Sequence, residues 1–241
     1  MNGNGIGDIS LPHAGDAQVD ITQSELVEHP GDVPGHEAGD VETLKTGTTT
    51  VGLKADDGVV LATDMRASLG NMVSSKQAKK VEQIHPTAAI TISGSVSAAQ
   101  SLISTIEAEA KLYEIRRDKE MSMNALASML GNLLRSGAYF IVVPILGGVD
   151  DEGPHIYSLD ALGGRTEEEY TVSGSGSQFA LGLLENRFEE DLSMDEAEDL
   201  AIDAVLTAIE RDTASGDGLY VSRITADGVE IDEYDDLDEL R

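Results

Sequence analysis

The residues best able to do chemistry begin at Gly47-Thr48-Thr49-Thr50, where a polar, acidic stretch gives way to sustained hydrophobic periodicity. A threonine hydroxyl is a weak nucleophile unless a base stands beside it. If Thr48 became the first residue of a cut chain, its own α-amine, with a pKa of about 7.7–8.0, would be that base without any histidine. Pattern alone favours the simpler reading, a β-branched residue opening a strand. Lys76, Lys79 and Lys80 are three of the chain's seven lysines. They read as a solvated positive patch, or as the source of a buried ammonium that lowers a neighbouring nucleophile's pKa. A buried ammonium needs a carboxylate partner, and Asp64 at a strand end is placed to be one. Ser93-Gly94-Ser95, between a strand and a helix, is either a tight connection or a backbone N–H aimed at a developing oxyanion. Ser173-Gly174-Ser175-Gly176-Ser177 fits neither a dinucleotide fingerprint nor a nucleophile elbow, and reads as a polar capping turn. Arg211-Asp212-Thr213-Ala214-Ser215-Gly216 reads as a helix end, where an Asp opposes the dipole and so calls for a specific partner.

The elements that must position these residues follow from periodicity. Thr49 to Lys54 and Val59 to Thr63 read as a hairpin about Asp56-Asp57-Gly58. Ser68 to Ala78 reads as loop, and Lys79 to Ile84 with Ala88 to Ser93 as a second strand pair. Val96, Ala99, Ile103, Ile106, Ala110 and Tyr113 recur at helical spacing, and a second helix is predicted over Ser122–Leu134. Strands over Tyr139–Leu146, Pro154–Asp160 and Glu168–Val172 follow, with Gly147-Gly148 and Gly163-Gly164 as turns. A third helix spans about Phe179–Glu189. A fourth opens on the capping box Ser193-x-x-Glu196. Leu219–Thr225 and Val229–Ile231 flank an Asp227-Gly228 turn, and the last ten residues read as an acidic tail. Hairpin runs need antiparallel sheets, and two separated helix pairs need two places to pack. The expected fold is α+β, a four-layer αββα sandwich in one domain, residues 48–241.

The rest of the composition bounds function. The chain has 241 residues and a formal charge of −29, a field that repels nucleic acid. Few lysines on so acidic a surface suggest a high-salt habitat. No apolar run is long enough to span a membrane, and the first ten residues lack the features of a secretory signal. With no cysteine there is no disulfide or thiolate chemistry, and the five histidines form no metal-binding pair, so neither metal nor cofactor is expected. Residues 1–47 are acidic, rich in Gly and Pro and poor in apolar residues, and are expected to be disordered.

Taken together, the blocks resemble the catalytic β-subunits of archaeal proteasomes. The resemblance rests on Gly-Thr-Thr-Thr-Val-Gly at Gly47–Gly52, with Asp64, Lys80 and Gly94 sixteen, thirty-two and forty-six residues after Thr48. Gly174-Ser175-Gly176-Ser177 and Arg211-Asp212-x-x-Ser215-Gly216 complete it. It covers Gly47 to about Ile231.

The resemblance implies the αββα fold of N-terminal-nucleophile hydrolases and a threonine endopeptidase of a 20S core particle. Thr48 would be nucleophile and, through its amine, base. Lys80, held by Asp64, would lower the proton affinity around it, and the Gly94 N–H would line the oxyanion hole. Ser175, Asp212 and Ser215 would surround the amine. Cleavage between Gly47 and Thr48 would remove a propeptide autocatalytically. Residues matching the family's specificity pocket, Ala67, Ala78, Ile92 and Val96, are apolar, which implies cleavage after hydrophobic residues. Heptameric β rings stacked on α-subunit rings, a regulatory ATPase, unfolded protein substrates and a cytoplasmic location come with the family. The propeptide is longer than in some archaeal relatives. The rival readings are a non-catalytic ring subunit, and a small-molecule amidase with the same type of nucleophile.

Overall fold

The computed structural model describes residues 47–139 and 141–237. The expectation of disorder over residues 1–47 therefore falls, Gly47 apart, outside the described residues. Among the described residues, twelve strands and four helices are formed. One five-stranded antiparallel sheet has the order β10-β1-β2-β11-β12, with β1 Thr49–Lys54, β2 Gly58–Asp64, β10 Tyr170–Gly174, β11 Leu219–Thr225 and β12 Gly228–Tyr234. The other is β5-β6-β7-β8-β9, with β5 Val81–His85, β6 Ala88–Thr91, β7 Ile145–Asp150, β8 Gly153–Leu159 and β9 Arg165–Glu168.

Three apolar layers bind four layers of structure, as expected from the sequence. Val59, Leu61, Ala89, Ile145 and Ile156 fill the space between the sheets. Leu102 and Ile106 of α1 (Val96–Arg117) and Leu126 and Leu130 of α2 (Met123–Arg135) cover the second sheet. Leu184 of α3 (Ser177–Arg187) and the alanine-rich face of α4 (Met194–Ile209) cover Val51, Leu53, Val60 and Val221 of the first. Alanines 197, 201, 204 and 208 are all buried, and their small side chains let α4 approach the sheet closely. The capping box at Ser193 and Glu196 is formed.

Four local expectations are corrected. Ser68–Ala78 is not all loop: β3 (Ala67–Leu69) and β4 (Met72–Ser75) pair as a ribbon. Among the described residues of Tyr139–Leu146, the strand begins only at Ile145, after Pro144, which offers no ladder donor. Gly147-Gly148 is mid-strand rather than a turn. A Cβ on Gly147 would lie 2.7 Å from Val59 Cγ1, and one on Gly148 2.5 Å from Met123 Sδ, so these glycines permit close layer packing. Glu168–Val172 divides between β9 and β10, which belong to different sheets, so the chain crosses the sandwich at Glu169. In addition, β12 carries Asp232–Tyr234 out of the expected tail.

Candidate active site

Antiparallel pairing explains why residues so distant in sequence meet. The end of β10 pairs with the start of β1 (Gly174 with Thr49), and the end of β2 with the start of β11 (Asp64 with Leu219). Thr50 pairs with Thr63, so all four strand ends share one rim of the sheet. Lys80 immediately precedes β5 of the facing sheet. Thr48, Asp64, Lys80, Ser175 and Ser215 are thereby brought to one place.

At its centre are a hydroxyl, a carboxylate and an ammonium. The Thr48 Oγ1 donates to Asp64 Oδ1 at 3.0 Å and accepts from Lys80 Nζ. Lys80 uses its other two N–H groups on Asp64 Oδ1 at 2.5 Å and the Arg66 carbonyl at 2.7 Å, so every donor of the ammonium is occupied. Asp64 is fully buried and receives five donors: Thr48 Oγ1, Thr49 N and Lys80 on one oxygen, Arg66 N and Gly216 N on the other. Donors to both oxygens are what a buried carboxylate requires. Burial pushes the Lys80 ammonium below lysine's usual range, against the Asp64 charge that pulls it back up. A proton on Lys80 is thus held less tightly than on a solvated lysine, beside an oxygen that must lose one to act as a nucleophile. Of the other two lysines, Lys76 is exposed and faces Asp217 at 3.5 Å, and Lys79 is solvated beside Glu82.

A second chain of hydrogen bonds holds the nitrogen of Thr48. Thr48 N–H donates to Ser175 Oγ at 3.1 Å, and Ser175 donates to Asp212 Oδ2 at 2.5 Å. Ser215 Oγ donates to the same Asp212 oxygen at 2.7 Å. Its lone pair faces Thr49 Oγ1 at 2.8 Å, and with the Ser215 proton committed, Thr49 is the donor there. The carboxylate at the end of α4 therefore has the specific partners its unfavourable position called for. Gly47 is buried, with its N–H donating to Ser68 Oγ at 3.0 Å.

No hydrogen bond to Thr48 is formed by the remaining expected residues, Gly94, Ala67, Ala78, Ile92 and Val96. Gly94 lies between β6 and α1 at φ +117°, bridged to Val142. A Cβ there would fall 1.7 Å from the Ile141 carbonyl oxygen, so glycine is required. The strand leading to it is tied to the centre by Ile92 N–H donating to the Lys80 carbonyl at 2.7 Å. Ala67 and Ala78 are half-buried, Ile92 is buried, and Val96 is exposed at the first turn of α1.

Five contributors were given no site role by sequence reasoning: Thr49, Ala214 and Gly216, which lie inside the quoted blocks, and Arg66 and Ser68, which lie outside them. Arg66 ties two segments together. Its backbone serves Asp64 and Lys80, while its guanidinium donates to Asp217 Oδ2 at 2.6 Å and the Thr213 carbonyl at 2.9 Å. An arginine two residues past a strand-end aspartate was the available signal. Among the described residues, no group of three His, Cys, Asp or Glu is arranged to hold a metal ion, and no helix is long and apolar enough to cross a membrane.

Comparison with known proteins is consistent with this geometry. The sequence profile of the proteasome subunit family matches residues 44–224. The chain is 63% identical over 222 residues to a proteasome subunit beta of Haloquadratum walsbyi, covering 92% of this chain and 91% of that one. It is 66% identical over 197 residues to a proteasome subunit beta of Halorubrum lacusprofundi, with 82% and 81% coverage. A proteasome subunit beta 1 of Haloarcula marismortui is 52% identical over 236 residues, with 97% and 96% coverage. The chain belongs to the proteasome subunit family, as a catalytic β-subunit of the 20S core of the haloarchaeal type.

Proposed function

We propose that this proteasome β-subunit is a threonine endopeptidase that makes its own nucleophile by cutting Gly47-Thr48. The observation that carries the reading is the Thr48 hydroxyl, set between the buried Lys80 ammonium and the five-donor Asp64 while its own nitrogen is held by Ser175. In processing, Thr48 Oγ adds to the Gly47 carbonyl carbon, the Gly47–Thr48 C–N bond breaks, and the hydroxyl proton passes to the departing nitrogen. The product is an ester of the same composition, with a free amine on Thr48. Water then hydrolyses the ester to a Gly47 carboxylate and the Thr48 hydroxyl. Lys80 and Asp64 serve the oxygen in this step, because the nitrogen is still an amide and no base.

Peptide hydrolysis repeats the sequence in trans. Thr48 Oγ attacks the scissile carbonyl, its proton leaves by way of the Thr48 amine to the departing peptide nitrogen, and water releases the acyl group. The Gly94 N–H is assigned to the oxyanion. Ser175, Asp212 and Ser215 fix the amine's orientation and proton traffic. The apolar set Ala67, Ala78, Ile92 and Val96 selects hydrophobic residues before the cut. The subunit works in heptameric β rings stacked with α-subunit rings in the cytoplasm, where a regulatory ATPase feeds unfolded protein.

Thr48→Ala tests the reading. Intact mass should show an uncut chain, and peptide hydrolysis should fall by on the order of a thousandfold or more. A Thr48→Ala chain still cut between residues 47 and 48, or still active, overturns it.

A further inference from the structure

Gly47 is buried like Thr48, but it is held by different residues. Its N–H donates to Ser68 Oγ at 3.0 Å, and Ser68 itself is buried in β3. A Cβ built on Gly47 would lie 1.8 Å from Ala214 Cβ, 3.0 Å from Ala214 Cα and 2.9 Å from Ser68 Oγ. Real side-chain atoms do not approach so closely, so one residue would have to move. Ala214 is not free to retreat. Its N–H donates to Asp212 Oδ1 at 3.2 Å, and the preceding carbonyl, that of Thr213, accepts from the Arg66 guanidinium. Asp212 in turn holds Ser175, which receives the Thr48 N–H.

From this geometry we infer that Ser68 and Ala214 form a cradle that sets the specificity of self-cleavage. Ser68 orients the residue before the cut by its amide, and Ala214 excludes any side chain from it. The inference rests on the self-cleavage reading above. It adds that the chain's own junction and its peptide substrates are read by different residues. A side chain on residue 47 would point at Ala214, whereas the apolar set assigned to peptide substrates is Ala67, Ala78, Ile92 and Val96. A larger residue at position 47 would press on Ala214, and through Asp212 and Ser175 would shift the Thr48 nitrogen.

The test follows maturation of the full chain, co-assembled with its α-subunit, as the ratio of uncut to cut chain by intact mass over time. Gly47→Ala should slow the cut by roughly tenfold to a hundredfold, the cost of a misplacement near an ångström. The double variant Gly47→Ala/Ala214→Gly should mature at least severalfold faster than Gly47→Ala, though not at the natural rate, because the backbone of residue 214 still crowds the added methyl. Ser68→Ala should slow the cut, and Ser68→Thr should restore part of the rate by restoring the hydroxyl. A Gly47→Ala chain that matures at the natural rate overturns the cradle. So does a double variant no faster than Gly47→Ala, provided its circular dichroism is native. Thr48→Ala separates the two readings: if it is cut, self-cleavage itself is wrong; if it stays uncut while Gly47→Ala matures normally, only the cradle fails.

Discussion

The two rims of the sandwich each carry a buried or half-buried polar network, and they are built differently. At the Thr48 rim, Asp64 takes donors from Thr48, Lys80 and Gly216, residues that meet only because strand ends from both sheets converge. At the opposite rim, Asp150 accepts from Met123 N at 2.7 Å, Glu152 N at 2.9 Å and His155 Nε2 at 3.1 Å, while His155 Nδ1 faces Glu167 at 2.7 Å. Tyr157 donates to the same Glu167, and burial together with that carboxylate pushes its phenol up to about 12. The far network ties one hairpin to its neighbouring strand and fixes an acid at the start of α2, where the helix dipole favours it. It contains no hydroxyl set between an ammonium and a carboxylate. Polar satisfaction is common to both rims; a nucleophile with its proton path provided for belongs to one.

The largest effect that would sharpen this contrast is at Lys80. Lys80→Met should lower peptide hydrolysis by at least about a hundredfold. It should also destabilise the fold by roughly 3–5 kcal/mol, because it leaves Asp64 buried without a counter-charge. Adding Asp64→Asn removes the unpaired charge, but its amide NH2 cannot accept the backbone N–H groups that face both Asp64 oxygens. It should therefore return only part of the stability and none of the activity, which denaturant titration and a peptidase assay would separate. Turnover at the natural rate in Lys80→Met would erase the distinction between the rims.

A smaller effect belongs to Asp150. Burial alone would raise its pKa, but the N–H bonds from Met123 and Glu152, with His155, hold it below the ordinary 3.8. The native state therefore binds fewer protons than the unfolded one as pH falls past that value. Its contribution is complete above the ordinary pKa and is lost as pH drops through the lowered one. Asp150→Asn should cost about 1 kcal/mol at neutral pH. The gap to the natural chain should narrow as the pH is taken from neutral to below the ordinary carboxylate range. Denaturant titrations at both pH values check this, with peptide hydrolysis unchanged.

The smallest effect is at His155. His155→Gln should cost about 0.5–1 kcal/mol and leave maturation untouched. A maturation defect measured by intact mass would mean that the far network reaches the active rim.

Much of the architecture was legible in the sequence because it is local. Alternation marked β1, the run after the Asp56-Asp57-Gly58 turn marked β2, and Ser193 with Glu196 marked the start of α4. The spacing over residues 96–113 marked a helix, although its first apolar residue, Val96, proved 53% exposed and Leu102 fully buried, since the docking face is set by the sheet beneath it. What was illegible depends on what lies across the sandwich. Gly147 and Gly148 carry a turn signature, yet their missing side chains make room for Val59 and Met123. The crossover at Glu169 leaves no mark, because two strands joined by one residue look like one strand. Within the site, Thr48, Asp64 and Lys80 stood out by type and by resemblance. Ser68 and Ala214 did not, because a serine in a ribbon and an alanine in a loop acquire meaning only when Gly47 is placed between them.

The strand register at Thr49–Gly174 and Thr50–Thr63 has one more consequence. Three identical side chains follow one another, and each is given a different task. Thr48 meets Asp64 and Lys80, Thr49 meets Ser215, and Thr50 reaches only the Ser173 carbonyl at 3.5 Å. Nothing in their chemistry distinguishes them. Their assignment is an address, counted back from Val51 and Leu53, whose burial against α3 and α4 anchors the strand. Deleting one threonine would not promote the next. It would draw Gly47 into the nucleophile's place and leave the site complete except for its reacting oxygen.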